Sequence, residues 1–152
     1  KVTLDPESPF LILSADHRTV RLREGFQNLP NTRQRFRGSP SVLSSQGFTA
    51  GRHYWELEVG KGDSWAVGVA LEPVQRKDSL STALGKVWAL RLDWEGQYTA
   101  LRGLPTLLAL EEKPQRIRVQ LDYKAGQVTF YNTENTVQIL QFKTSFTEKV
   151  FP

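Results

Sequence analysis

GRHYWELEVGKGDSWAVGVALEP, residues 51–73, is the stretch on which the reading of this chain turns. It sets Glu56 and Glu58 two residues apart beside tryptophans. They are either a pair of catalytic carboxylates or the wet face of a strand. Side chains on a strand alternate between faces. His53, Trp55, Leu57 and Val59 therefore point one way, and Tyr54, Glu56 and Glu58 the other. The first set is mostly apolar and asks for a core, while the second suits the solvent side of an antiparallel strand. Gly60 and Gly62 supply a turn. Beyond it Trp65, Val67, Val69 and Leu71 alternate with Ala66, Gly68 and Ala70. Two alternating runs about a glycine turn predict a β-hairpin.

The same period continues outward. FLIL (10–13) is a short apolar run, and RTVRLRE (18–24) alternates Val20 and Leu22 with arginines. In KVWALRLDW (86–94), Trp88, Leu90, Leu92 and Trp94 share one face, with Ala89, Arg91 and Asp93 on the other. In RIRVQLDY (116–123), Ile117, Val119, Leu121 and Tyr123 oppose Arg116, Arg118, Gln120 and Asp122. A turn at Lys124, Ala125 and Gly126 leads into QVTFYN, where Val128 and Phe130 share a face. TVQILQF then places Val137, Ile139 and Gln141 together. No run of about a dozen residues carries a 3.6-residue apolar period. LDPESP offers at most one helical turn, with Asp5 as its cap and Pro6 at its first position. About a dozen short strands at this spacing predict an all-β, antiparallel sandwich or barrel with little or no helix.

Composition bounds the rest. The chain has 152 residues, enough for one domain with a real core. Cys is absent, which excludes disulfides, thiolate metal sites and a Cys nucleophile, and suits a cytoplasmic protein. Met is absent even at position 1, so the chain is expected to be an excised domain. No apolar run approaches the ~20 residues of a membrane span, and no signal-peptide pattern is present. Direct membrane contact is not expected. The net charge is +4 and unevenly spread. Arg33, Arg35 and Arg37 form a candidate basic patch for an acidic partner or RNA phosphates. Their alternation with Gln34 and Phe36 equally describes a strand with one wet face, and no RNA-binding motif accompanies them.

Catalytic readings find little support. A glycosidase pair needs two carboxyls about 5–9 Å apart across a scissile bond. Residues i and i+2 on a strand approach the lower part of that range, but strands with a wet face are often acidic. His17 and His53, the two histidines, have no nucleophile-elbow partner and no set of co-ligands for zinc. No phosphate loop or dinucleotide fingerprint is present. No catalytic residue, metal or cofactor is expected. Binding is better served. Arg91 and Asp93 project from a strand whose other face carries two tryptophans, and rigidly held polar groups suit recognition. The alternative is an exposed intrastrand ion pair, worth less than about 1 kcal/mol.

Four ordered motifs carry a resemblance. VTLDPESPFLILSADHRTVR, RFRGSPSVLSSQGFTAGRHYWELEVG, WAVGVALEPVQRK and VQLDYKAGQVTFYN together resemble the PRY-SPRY domain of tripartite-motif (TRIM) proteins and butyrophilins. The resemblance runs from Val2 to Pro152. It implies a two-sheet antiparallel β-sandwich of the SPRY type, a concanavalin-like jelly roll, with PRY at about 1–48 and SPRY at about 49–152. By that pattern the family's last strand is missing after EKVFP. The resemblance also implies a non-catalytic module that binds a target protein or peptide for a RING-type E3 ubiquitin ligase, often in innate immunity. A butyrophilin cytosolic domain and an RNA-binding PRY-SPRY are the alternatives. On the family's pattern the pocket falls at Ser39, Ser41, Ser64, Ala66, Arg91 and Asp93, with a rim between Arg76 and Leu84 and with Trp65 and Trp88 beneath. The lone domain is expected to be monomeric, and a coiled coil elsewhere in the parent would pair two copies.

Overall fold

The computed structural model describes residues 4, 11–16, 18–22, 42–60, 62, 64–71, 86–102 and 106–152. Eleven strands cover these residues: β1 (Leu11–Leu13), β2 (Val20–Leu22), β3 (Arg52–Glu58), β4 (Trp65–Leu71), β5 (Val87–Leu92), β6 (Tyr98–Leu101), β7 (Thr106–Leu108), β8 (Arg116–Asp122), β9 (Gln127–Asn132), β10 (Val137–Lys143) and β11 (Val150–Phe151). Among the described residues there is no helix, and so none long and apolar enough to cross a membrane. The helical turn expected at Asp5 and Pro6, the basic patch Arg33, Arg35 and Arg37, the serines Ser39 and Ser41, His17 and the rim between Arg76 and Leu84 lie outside the described residues.

The expected antiparallel sandwich is present. One sheet has four strands in the order β10-β9-β8-β3, the other five in the order β11-β4-β5-β6-β7, and β1 and β2 form a separate pair. The core lies between the two large sheets. Trp55 of β3, Ile117, Val119 and Leu121 of β8, and Val128 and Phe130 of β9 meet Val69, Trp88, Leu90 and Ala100 of the other sheet. All but Ala100 are residues that alternation assigned to inward faces, and several are wholly removed from solvent.

The hairpin expected between residues 51 and 73 does not form. β3 pairs with β8, and β4 pairs with β5 and β11, so the glycine turn carries the chain from one sheet to the other. A hairpin would set the apolar faces of β3 and β4 side by side on one sheet. The crossover sets them face to face, which buries both against each other. The chain leaves β3 along the start of β8, where Val59 and Gly60 both donate to the Gln115 carbonyl at 2.9 and 3.0 Å. Alternation is blind to this choice, since either topology presents the same faces.

Two other expectations shift. β10 was expected to direct Val137, Ile139 and Gln141 to one face, but its register slips between Gln138 and Leu140. The bulge reverses the alternation. Leu140 and Phe142 then oppose Phe130 and Val128, the Phe130 and Phe142 rings meet edge-on at 6.0 Å, and Gln141 turns outward to donate to Thr129 Oγ1 at 3.0 Å. Trp94, expected on the inner face of β5, lies past the strand's end in a turn and is 72% exposed.

β5 is buried on both faces. Its outward residues Val87 and Ala89 join Ala70, Leu101, Leu43 and Phe151 in a second apolar cluster. Ser44 fixes this cover: its N–H donates to the Pro152 carbonyl at 2.8 Å, and it bridges to Leu4. β4 approaches β5 so closely that a Cβ on Gly68 would stand 2.0 Å from the Trp88 carbonyl oxygen. Gly96 is the opposite case, with φ +82° and open space around it. Gly68→Ala is therefore expected to cost about 3 kcal/mol by overpacking. Gly96→Ala should cost only about 1–2 kcal/mol of backbone strain. Urea denaturation of the two variants checks the order, and an equal loss would contradict the close approach at Gly68.

Candidate functional site

The outer face of the four-stranded sheet answers the question about Glu56 and Glu58. β3 lies against β8 so that Arg52, Glu56 and Glu58 stand across from Asp122, Arg118 and Arg116. Arg118 donates through Nε and Nη2 to Glu56 Oε2 at 2.9 and 2.7 Å. Arg116 donates to Glu58 Oε1, and its second nitrogen lies 3.5 Å from Glu56 Oε1. Arg52 Nε donates to Asp122 Oδ2 at 3.1 Å. The Arg118 guanidinium also lies over the exposed Tyr54 ring, 5.2 Å from its centroid. The hydrogen bonds from Arg118 hold the Glu56 carboxyl below the usual carboxylate range, and the charges of Arg118 and Arg116 add to this. A general acid needs the opposite shift. These glutamates act as cross-strand ion-pair partners.

His53 is equally committed. Its Nε2 lies 2.8 Å from the Ala50 carbonyl oxygen, and its ring stacks on Phe48 at 3.8 Å. Among the described residues no group of three or more His, Asp or Glu side chains could hold a metal ion.

The outer face of the five-stranded sheet differs in kind. Register across β4, β5, β6 and β7 aligns Ala66, Arg91, Thr99 and Leu107 in one row. The next row toward the far end is Gly68, Ala89 and Leu101, where the second apolar cluster begins. The apolar cover thus stops one row short of Arg91. Ala66 is exposed, Arg91 half-buried and Leu107 65% exposed. Thr99 between them is only 6% exposed, and its hydroxyl is buried without a hydrogen-bond partner. Arg91 makes no ion pair among the described residues. An unpaired guanidinium beside a buried, unpartnered hydroxyl is a site with unspent hydrogen-bonding capacity.

Of the residues expected at the pocket, the structure brings Ala66 and Arg91 directly opposite each other and leaves Ser64 one residue ahead of β4. Asp93 has a different environment from the strand position expected for it. It lies beyond β5, where its Oδ1 accepts from the Glu95 and Gln97 backbone N–H groups, both at 2.9 Å, and so caps the turn into β6. No Arg91–Asp93 ion pair forms. Trp65 and Trp88 lie on the sheet's inner side, Trp88 in the core beneath the edge of Phe146 at 5.3 Å. Thr99 and Leu107 escaped the sequence reading. A three-residue turn of Trp94, Glu95 and Gly96, centred on Glu95, pairs Arg91 with Thr99, so the signal was present in DWEGQYTA.

Comparison with known proteins agrees with the sandwich fold. The SPRY domain model matches residues 52–152, and the SPRY-associated PRY domain model matches residues 2–48. The chain belongs to the PRY-SPRY family. Its relatives include Tripartite motif-containing protein 10 of Mus musculus, 44% identical over 99% of this chain, and E3 ubiquitin-protein ligase TRIM15 of Sus scrofa, 46% identical over 99%. The PRY-SPRY chain spans about a third of each of these relatives, 32% and 34% of their lengths. Among solved structures, stonustoxin superimposes with TM-score 0.83 at 27% identity, over 100% of this chain and 26% of the toxin chain. The TRIM65 PSpry domain does so with TM-score 0.81 at 23% identity, over 99% of this chain and 82% of that one.

The ion-pair ladder of this PRY-SPRY domain makes a testable statement about acid. A carboxyl whose folded pKa is depressed contributes stability above its unfolded pKa and loses it as pH falls through the folded value. In an NMR titration the Glu56 carboxyl should therefore titrate below the ordinary range, and Arg118→Gln should move its midpoint up. Arg116→Gln should move it less, because Arg118 makes the stronger hydrogen bonds to Glu56. An unmoved midpoint in Arg118→Gln would contradict the pairing.

Proposed function

We propose that this domain is the target-recognition module of a TRIM-type RING E3 ubiquitin ligase, working in the cytoplasm and in innate immunity. It would bind a peptide or loop of the target protein, while ubiquitin transfer belongs to the parent's other domains. The family supports an interaction module, and the relatives, which include an E3 ubiquitin-protein ligase, support the parent. The observation that carries the reading is the uncovered row Ala66, Arg91, Thr99 and Leu107, with its unpaired guanidinium and unpartnered hydroxyl. Arg91 would meet a carboxylate or carbonyl of the target. Leu107 would cover an apolar side chain, and Thr99 would lie beneath the contact. Ser39, Ser41 and Ser64 would border the row, and Asp93 would shape it through the turn it caps.

Affinity capture from cell lysate, read by mass spectrometry, tests this. Arg91→Ala should weaken capture of the target tenfold or more, the effect typical of a buried arginine anchor. Thr99→Val should weaken it less. Asp93→Asn retains an acceptor for the turn and serves as a control for folding that Asp93→Ala would not. Proteins held equally by the wild type and Arg91→Ala would overturn the placement. If such binding were also abolished by ribonuclease and fell steeply with salt, it would move the site to Arg33, Arg35 and Arg37.

A further inference from the structure

The two ends of the sandwich carry opposite charge. One end holds the turn from β3 to β4, the β5–β6 turn, the segment before β8 and the β9–β10 turn. The other holds the starts of β3 and β5, the end of β6, the β8–β9 turn and the segment after β10. At this second end stand Arg52, Lys86, Arg102, Lys124, Lys143 and Lys149, against Asp122 and Glu148. At the first stand Glu58, Asp93, Glu95, Glu111, Glu112 and Glu134, against Lys113 and Arg116. Six charges against two at each end leave a basic and an acidic pole among these described residues.

The poles are built by the fold and are not matched within it. Arg102 Nη1 donates to the Lys143 carbonyl at 3.2 Å, which draws the β6 and β10 ends into one basic surface. Asn135 Nδ2 donates to Glu112 Oε2 at 3.2 Å, which joins the β9–β10 turn to the segment before β8 at the acidic end. Lys86, Lys124, Lys143 and Lys149 make no ion pair among the described residues, and neither do Glu95, Glu111 and Glu134. Strands of seven residues separate the ends, about 20 Å at ~3.3 Å per residue. The Debye length at physiological salt is about 8 Å. The poles therefore do not neutralise each other within one molecule. The acidic end also presents Trp94, 72% exposed, in the turn that Asp93 caps. An indole face is the strongest aromatic partner for an ammonium ion, and ammonium ions are what the opposite end offers.

We propose that the basic end docks on the acidic end of a second copy of this chain. Lysines meet Glu95, Glu111 and Glu134, and one ammonium lies over Trp94. Charge complementarity singles out this occupant. RNA or an acidic peptide answers the basic end alone and leaves the acidic end and its indole without a role, whereas a second copy answers both. Two different surfaces meet, so each added copy leaves one of each free, and the assembly grows head to tail unless its rotation closes a ring. Exposed pairs contribute little each, so the contact is weak and the dilute domain is a monomer. The contact does not use Arg91, and it stands whether or not that row binds a target.

Sedimentation equilibrium of the domain at up to about 1 mM, where weak contacts are populated, tests this. The weight-average mass should rise steadily with concentration and should not level at a dimer. Lowering salt from about 0.1 to about 0.01 M lengthens the Debye length about threefold and should tighten association about tenfold. Trp94→Ala should weaken it about threefold. Two charge-reversed variants test the occupant. Lys124→Glu with Lys143→Glu and Lys149→Glu has two acidic ends, and Glu95→Lys with Glu111→Lys and Glu134→Lys has two basic ends. All six positions are exposed, so the fold tolerates the changes. Each variant alone should stay monomeric, and their equimolar mixture should associate at least as tightly as the wild type. A constant monomer mass at low salt, association of either variant alone, or a mixture that stays monomeric would each overturn the proposal. So would a monomeric wild type that binds duplex RNA or a poly-glutamate peptide and loses it in the lysine variant, since the basic end would then serve a different polyanion.

Discussion

The burial of β5 on both faces is the constraint on which the rest of the domain depends. Toward the sandwich interior Trp88 and Leu90 pack against the four-stranded sheet. Toward the outside Val87 and Ala89 lie beneath Leu43 and Phe151. A strand covered twice must be flanked by small residues where its neighbours approach. Gly68 and Ala70 on β4 meet that need, and Gly68 has no room for a side chain. The cover ends at Arg91, because a guanidinium cannot be buried among apolar groups without a partner. The boundary between packed and open surface on this sheet is therefore set by one residue type at one position. The open row Ala66, Arg91, Thr99 and Leu107 is the direct result.

The two outer faces of the sandwich divide their polar groups differently. On β3 and β8 nearly every charge meets its opposite across the strands, and the Arg118 guanidinium both binds Glu56 and covers Tyr54. Exposed pairs of this kind contribute little stability each. They leave few free donors or acceptors for a ligand, and they fix register, since a slip of one residue would turn every pair to the wrong face. On β5 and β6 the polar groups are fewer but unmatched. Recognition needs groups whose hydrogen bonds are not already made within the fold, and that property separates the two faces more clearly than exposure or charge does.

Much of this was legible in the sequence because alternation on a strand is a local property. The inward sets on β3, β5, β8 and β9 follow from parity alone, and Arg91 stood out for the same reason. What could not be read is non-local. Whether residues 51–73 turn back or cross between sheets depends on which strands supply partners, and Arg116 and Arg118 lie some sixty residues away, as their 58- and 62-residue separations from Glu58 and Glu56 show. The bulge in β10 adds a residue that no periodicity announces, and it turned Leu140 inward and Gln141 outward while Ile139 still packs against the core. Asp93 was misassigned because a strand's last residue and a turn's first cap share the same parity. Asp93 ends a run of alternation and begins an Asx turn, and the turn claims its carboxylate.

The β5–β6 hairpin concentrates these effects in adjacent residues. Tyr98 and Thr99 are neighbours in sequence, so their hydroxyls leave opposite faces of one strand, and neither finds a partner. A fold that satisfies Gln141 with Thr129, and Asn132 with the Glu134 backbone, can evidently provide for its buried polar groups elsewhere. These two hydroxyls, with the Trp88 indole N–H of β5 in the core, are the buried side-chain groups left without a partner among the described residues, and all three belong to this hairpin. Each hydroxyl lies where the packing of its own side runs out: Thr99 where the Leu43 and Phe151 cover stops, and Tyr98 where a cleft opens beside Trp94. The hairpin is held by its register to β4 and β7 and by the Asp93 cap at its turn. Such rigidity lets unsatisfied groups persist, because the strand cannot shift to pair them internally. Arg91 stands on the same hairpin. A group held on so rigid a support loses little further freedom when a ligand arrives, and this is what makes it an efficient point of recognition.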